Sequence, residues 1–290
     1  MKTKVLYLLS ALIMLSCEKG VFDNEDVVVN GVIEDGRVIA AGLYFTLNSN
    51  TSDATLEVIG MVSDSFTELV VPGAVNVDGE THVVTSIARR VFSSNKKLTS
   101  IKLPSSLTNI GREAFSYCTN LTSVTVGGSG NPMTSIGEDA FYGCTRLTSL
   151  SLGNSVKSIG HSAFYGCIGL TSLAIPNSIT DIDDFAFSDC SGLTSVTIGN
   201  SVTIIGAGAF YDCTGLEKIT IPISVTDIGG YAFRGCRNLK AVYVSWNTPP
   251  SIYIHDAFYG NTKTVLYVPK GTKASYASSD WSYFSSISEY

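Results

Sequence analysis

The chain has little charge. Asp, Glu, Lys and Arg make up 15% of its 290 residues, and the formal net charge is −6; typical domains carry roughly 25% charged residues. An acidic chain with no cluster of Lys or Arg is a poor partner for nucleic acid or an anionic membrane surface. Histidine is scarcer still: His82, His161 and His255 are the only three. A metal or nucleophilic centre needs such side chains to converge with carboxylates or a serine, and no HExxH, GxSxG or P-loop motif occurs. The apolar run Val5–Leu15 falls well short of the roughly 20 residues of a membrane helix. These absences argue against an enzyme, a cofactor, a metal and a nucleic-acid partner. What remains for the surface is Ser, Thr, Asn, Gly and Tyr, suited to neutral, hydroxyl-rich contacts.

The beginning of the chain reads as an export signal. Lys2 and Lys4 precede Val5–Leu15, and the small residue Ser16 leads into Cys17, the order of a charged region, an apolar region and a cleavage site. The stretch MLSC resembles a bacterial lipobox, which makes Cys17 the acylated first residue of a mature, membrane-anchored chain. Ordinary cleavage that leaves Cys17 a free thiol is the alternative. Residues 1–17 are thus the signal, and residues 18–30, with Glu18, Asp23, Glu25 and Asp26, an acidic tether of solvated character. A similar acidic patch marks export to the outer leaflet in surface lipoproteins of some Gram-negative anaerobes.

Phenylalanine recurs at 92, 115, 141, 164, 187, 210, 233 and 258, at intervals of 23 to 26 residues and in most cases directly after alanine. A steady period in the twenties marks a solenoid. In LTSLAIP, Leu170, Leu173 and Ile175 are apolar, and the last two flank Ala174 as in a half-buried strand. Pro176 cannot donate to a ladder and ends that strand. A second short strand, SITDI, turns Ile179 and Ile182 inward. Gly160, after the matching isoleucine one coil earlier, is expected to supply a permissive backbone at the corner. Ala163, Phe164 and Cys167 then share one face of a single helical or 3₁₀ turn. One such coil has no core of its own; stacked at rungs about 4.8 Å apart, the coils bury a continuous column.

IGREAFSYCTNLTSVTV, IGEDAFYGCTRLTSLSL and the four units after them resemble leucine-rich repeats, and within them the BspA-like branch of bacterial surface proteins. The resemblance covers residues 85–268. It implies a right-handed repeat solenoid of about eight units, mostly β with short helical or 3₁₀ turns. A β-rich N-terminal cap is expected over 31–84 and a C-terminal cap over 269–290. The family's loop Asn or Cys is replaced by Ser106, Ser155, Ser178, Ser201 and Ser224, with Asn247 in the last unit. Their hydroxyls are expected to bond to loop backbone. For function the resemblance implies a monomeric, non-catalytic recognition or adhesion protein that binds a host or matrix protein or a glycan. A structural or accessory subunit of an outer-membrane lipoprotein assembly is the alternative. The expected location is the outer membrane or cell surface, held by the lipid anchor, with the periplasmic face as the other possibility.

Cys118, Cys144, Cys167, Cys190, Cys213 and Cys236 each fall three residues after a repeat Phe, where the outer units carry Asn95 and Asn261. A position that accepts Asn wants a small group facing backbone, so the six are expected as a structural ladder of reduced, buried thiols. One Cys per coil offers no CxxC pair for zinc. Asp181, Asp183, Asp184 and Asp189 lack the spacing of a calcium loop and read as a solvated edge. GGSGN at 127–131 reads as a turn in the longest unit. Two periodic surfaces are candidates for a ligand. One is the outward strand face, with Lys102, Thr125, Thr197, Thr220 and Tyr243. The other is the residue after the repeat Phe, namely Tyr142, Tyr165, Tyr211 and Tyr259, a stripe broken by Ser188 and Arg234. Trp246, Trp281, Tyr253, Tyr267, Tyr276, Tyr283 and Phe284 are expected to close the open end of the solenoid.

Overall fold

The computed structural model describes residues 28–35, 37–48, 54–126, 133–252, 254–261, 263–284 and 286–290. Cys17 and its lipobox, the acidic residues of the tether, the 127–131 turn and Tyr253 lie outside the described residues, as does the side chain of Thr125. The first strand, β1 (Val28–Asn30), lies within the stretch expected as tether and pairs in parallel with β7 (Ala74–Val77). Strands β2 (Val32–Glu34), β3 (Arg37–Ala40), β4 (Leu43–Asn48) and β5 (Thr55–Met61) form an antiparallel run. Alternation drives it: Val38, Phe45 and Val58 are aligned across the pairs and buried.

The N-terminal unit is not separate from the solenoid. β6 (Glu68–Val70) opens one parallel ladder, and β8 (Glu80–Ile87), itself paired in parallel with β5, leads into the other. Each later coil adds a long strand and a short one: β9 (Ser100–Leu103) with β10 (Asn109–Ile110), then β11 (Ser123–Val126) with β12 (Ser135–Ile136). The next coil forms only the short strand β13 (Ser158–Ile159); its long-strand segment makes a single bridge, Ser123 to Ser149. β14 (Ser172–Ala174) and β15 (Asp181–Ile182), β16 (Ser195–Thr197) and β17 (Ile204–Ile205), β18 (Lys218–Ile221) and β19 (Asp227–Ile228), and β20 (Ala241–Val244) continue the pattern. The short-strand ladder is therefore continuous, and the long-strand sheet divides into β6–β9–β11 and β14–β16–β18–β20 with its extension. That extension is β21 (Val265–Val268) and β22 (Ser286–Glu289), reached through α1 (Ile254–Ala257), α2 (Lys273–Ala277) and a 3₁₀ turn at Asp280–Tyr283.

The third side of each coil is the turn that carries the repeat Phe. There the N–H of Phe donates to the carbonyl of the Ala one coil on, as from Phe115 to Ala140 and from Phe187 to Ala209. Two residues before and two after each repeat Phe from Phe92 to Phe233 the backbone is left-handed, for example Glu113 (φ 54°), Phe185 (φ 55°), Tyr117 (φ 58°) and Asp189 (φ 57°). The corner glycine obeys a different constraint from the one expected. Gly160 is not left-handed; a Cβ there would lie 2.8 Å from the Glu138 nitrogen of the preceding coil. Close approach between coils excludes a side chain at that corner.

The eight phenylalanines stack face to face with centroids 4.8 to 5.6 Å apart. Phe284 ends the column by meeting Phe258 at 62°. Trp281 and Tyr276 are fully buried beside it, with the Trp281 indole donating to the Pro250 carbonyl and the Tyr276 hydroxyl to the Trp246 carbonyl. Apolar rings with a satisfied polar tip are well suited to close a solenoid end.

Candidate functional site

The six repeat cysteines are free and buried. Each Sγ lies 3.0 to 3.3 Å from the carbonyl of the Phe one coil earlier, to which the thiol donates. Asn261 makes the same contact with its amide nitrogen, 2.8 Å from the Phe233 carbonyl. Asn95 starts the series by accepting the N–H groups of Lys97 and Leu98. Burial pushes the thiol of Cys118 up to about 11 and those of Cys190 and Cys236 up to about 12, and raises the other three as well. Protonated thiols are neither nucleophiles nor metal ligands. Many surface threonines are tied down in the same manner, as in Thr122 Oγ1 to the Thr99 carbonyl and Thr108 Oγ1 to that of Thr85. The serine ladder differs from expectation: Ser106 bonds to the Val84 and Gly73 carbonyls, while the buried hydroxyls of Ser178 and Ser224 have no partner.

The strand face is not one surface. The missing long strand at Ser149 puts Lys102 and the Thr125 backbone in one sheet, and Thr197, Thr220 and Tyr243 in the other. Thr197 and Thr220 are exposed. Tyr243 stacks on Tyr267 at 4.6 Å, with Tyr290 edge-on. Tyr267 thus belongs to this face and not only to the cap.

The turn face holds the larger aromatic assembly. With Phe141 and Phe164 inward, the next residues point out, and the rings of Tyr142 and Tyr165 stack at 4.7 Å and 4°. Tyr117 joins them, tilted at 57° on Tyr142. It lies two residues after its Phe, so the repeat register did not predict it. The Lys96 ammonium sits over the Tyr117 ring and donates to its carbonyl. Ser188 is buried, and the Tyr165 hydroxyl donates to the Asp189 carboxylate, which with burial holds that phenol well above its usual range. Arg234 does not break the stripe: its guanidinium lies 5.9 Å from the Tyr211 ring centre, 5.1 Å from Tyr259 and 5.0 Å from Tyr231. His255 contacts Tyr259 and Tyr283 and so extends the column to the cap. Most ring faces are covered by a neighbour, Tyr142 and Tyr165 by each other and Tyr211 and Tyr259 by Arg234. A sugar needs a free ring face, so the arrangement suits a protein contact better.

Charge is arranged along this face. Arg90, Arg89 and Arg112 surround the Glu113 carboxylate, and Arg112 also reaches Glu138. Hydrogen bonding from Arg90 holds Glu113 below the usual carboxylate range. The chain therefore does gather cations, which sequence spacing across coils concealed. From residue 158 to 217 there is no Lys or Arg, yet Asp181, Asp183, Asp184, Asp189, Asp212 and Glu217 fall there. Asp184 accepts the Ala207 N–H and Asp183 the Asp184 N–H. Among the described residues no His, Cys, Asp or Glu group is placed to hold a metal ion, and no helix is long and apolar enough to cross a membrane.

Two parallel ladders, a stacked Phe core and a period of about 23 residues define a leucine-rich repeat solenoid. Family comparison agrees: the model of the BspA type leucine rich repeat region matches six copies at residues 79–130 and 129–240, more than half of the chain. The protein belongs to the BspA-type leucine-rich repeat family. A leucine rich cell surface protein from Faecalibacterium prausnitzii is 22% identical with a TM-score of 0.57, the match covering 89% of this chain and 95% of that one. The T. pallidum leucine rich repeat protein is 27% identical with a TM-score of 0.60, over 69% of this chain and 89% of that one. No curated protein matches the chain in sequence.

Proposed function

We propose that this protein recognises another protein at the cell surface through the aromatic column of its turn face, with no catalysis of its own. The observation that carries the reading is the column of Tyr142 stacked on Tyr165, then, past Ser188, Tyr211, Arg234 and Tyr259 with the guanidinium between the two rings. Tyr and Arg dominate protein-binding hot spots, and here a rigid stack of coils holds them with little rotamer freedom left to lose. The description of the F. prausnitzii relative as a cell surface protein is consistent with this. In the same reading, an acylated Cys17 anchors the chain to the outer membrane and the solenoid faces outward.

Protease treatment of intact cells, followed by immunoblotting, tests the placement. Loss of the solenoid from intact cells is the expected result. Digestion only after lysis contradicts a surface role and favours an accessory subunit of a periplasmic assembly.

A further inference from the structure

Coil by coil, the column after the repeat Phe reads Tyr142, Tyr165, Ser188, Tyr211, Arg234, Tyr259. It contains the same situation twice. Tyr211 and Tyr259 flank one rung, and Arg234 fills the space between them. Tyr165 and Tyr211 flank another, and there the residue is Ser188, whose short side chain is buried beneath with its Oγ 3.4 Å from the Tyr211 carbonyl. The phenylalanines under these two tyrosines are separated by stacking steps of 5.3 and 5.6 Å. The two tyrosines lie two rungs apart, whereas Tyr142 and Tyr165 on adjacent rungs stack directly.

We infer that this break in the column seats an arginine side chain of a partner protein, against the Tyr165 and Tyr211 rings and paired with Asp189. Because Ser188 is sealed, the guanidinium contacts the rings and the carboxylate above it and makes no bond to the serine. The chain itself shows which group a pair of tyrosines two rungs apart accepts, since Arg234 occupies the equivalent place, with Tyr231 of its own turn as a third ring where the break has Phe185. The local charge asks for a cation: no Lys or Arg lies between residues 158 and 217, Asp189 accepts the neutral Tyr165 hydroxyl, and among the described residues Asp189 and Asp212 form no ion pair, not even with Arg234, whose guanidinium meets the Tyr211 ring. A planar guanidinium can stack on a ring and offer parallel donors to a carboxylate at once, which an ammonium cannot do. The inference rests on the turn-face column being the contact surface and is independent of where the cell places the protein.

The test is binding of the purified protein to a peptide of alternating Arg and Ser, with a Lys/Ser peptide of equal length and charge beside it. Asp189→Asn keeps the shape and tolerates the left-handed backbone; it and Tyr211→Ala should each weaken the Arg peptide about three- to tenfold. The Lys peptide should be weaker by a similar factor. Asp227→Asn, the same charge change on the short-strand ladder, should stay within about twofold of wild type. Ser188→Arg places the chain's own guanidinium in the break and should abolish binding if it folds, and the Asp189 variant decides the matter if it does not. Equal binding by wild type and Asp189→Asn, equal losses in Asp189→Asn and Asp227→Asn, or no preference for Arg over Lys would each overturn the inference. If no peptide binds while protease still strips the protein from intact cells, this inference fails and the surface reading stands.

Discussion

The first coils and the middle coils share one backbone and one core yet have opposite exteriors. Around Phe92 and Phe115 the turn face carries Arg89, Arg90 and Arg112, gathered on Glu113. Around Phe187 and Phe210 it carries Asp184, Asp189 and Asp212, and the cation that reaches it, Arg234, comes from the next coil and meets the Tyr211 ring. Inside, the difference vanishes: Phe, Cys, Ala and Leu are buried in both regions. Each inward side chain must match the rung above and below, whereas an outward one need only be soluble. Specificity in this molecule therefore lies in departures from the repeat on its outer faces.

Phe187 stacks between Phe164 and Phe210, so Phe187→Ala should cost about 3–5 kcal/mol in a denaturant titration. Tyr165→Ala on the outer face of the neighbouring coil should cost a small fraction of that. Next come the corners. A Cβ on Gly206 would lie 2.7 Å from the backbone of Asp183 and Asp184, whereas Gly230 has nothing within 4 Å. Gly206→Ala should destabilise by roughly 1–3 kcal/mol, and Gly230→Ala should be neutral or gain up to about 1 kcal/mol; thermal melts of the pair separate the two.

A third effect depends on pH. Thiols in the unfolded chain ionise near 8.5, but burial keeps Cys118 protonated to about 11 and Cys190 and Cys236 to about 12. Folded values above unfolded ones mean stability fully present below about pH 8.5 and lost progressively as pH rises toward the folded values. Denaturant midpoints should fall between pH 8 and 10, and a thiol reagent at pH 8 should label the repeat cysteines only after unfolding. The smallest effect concerns Glu113. Its depressed carboxyl contributes above the ordinary carboxylate range and loses that contribution as pH falls through the folded value. Glu113→Gln should lower the midpoint slightly at pH 7, since its arginine partners are half in solvent, and the difference from wild type should shrink as the pH is lowered through the carboxylate range.

Much of the interior was legible because each coil repeats it. Phe164 and Cys167 read as inward, small residues read as corners, and the aromatic residues near the end read as a closure. What escaped depends on relations between coils, which no single coil spells out. Arg234 looked like an interruption until its neighbours two rungs apart were seen to share it. Gly160 read as a permissive backbone at the corner, but the closeness of the preceding coil's backbone is what requires it. Tyr117 was missed because it enters the column from a different register position. The pairing of Val28–Asn30 with Ala74–Asn76 joins segments too distant for periodicity to connect.

One measurement addresses the turn face most directly. A photoreactive residue is placed at Tyr211 on the turn face or at Thr197 on the strand face, and intact cells carrying either variant are irradiated. The account predicts a cross-linked protein product from position 211 and none from position 197. Products from 197 alone, or equal products from both, would contradict it.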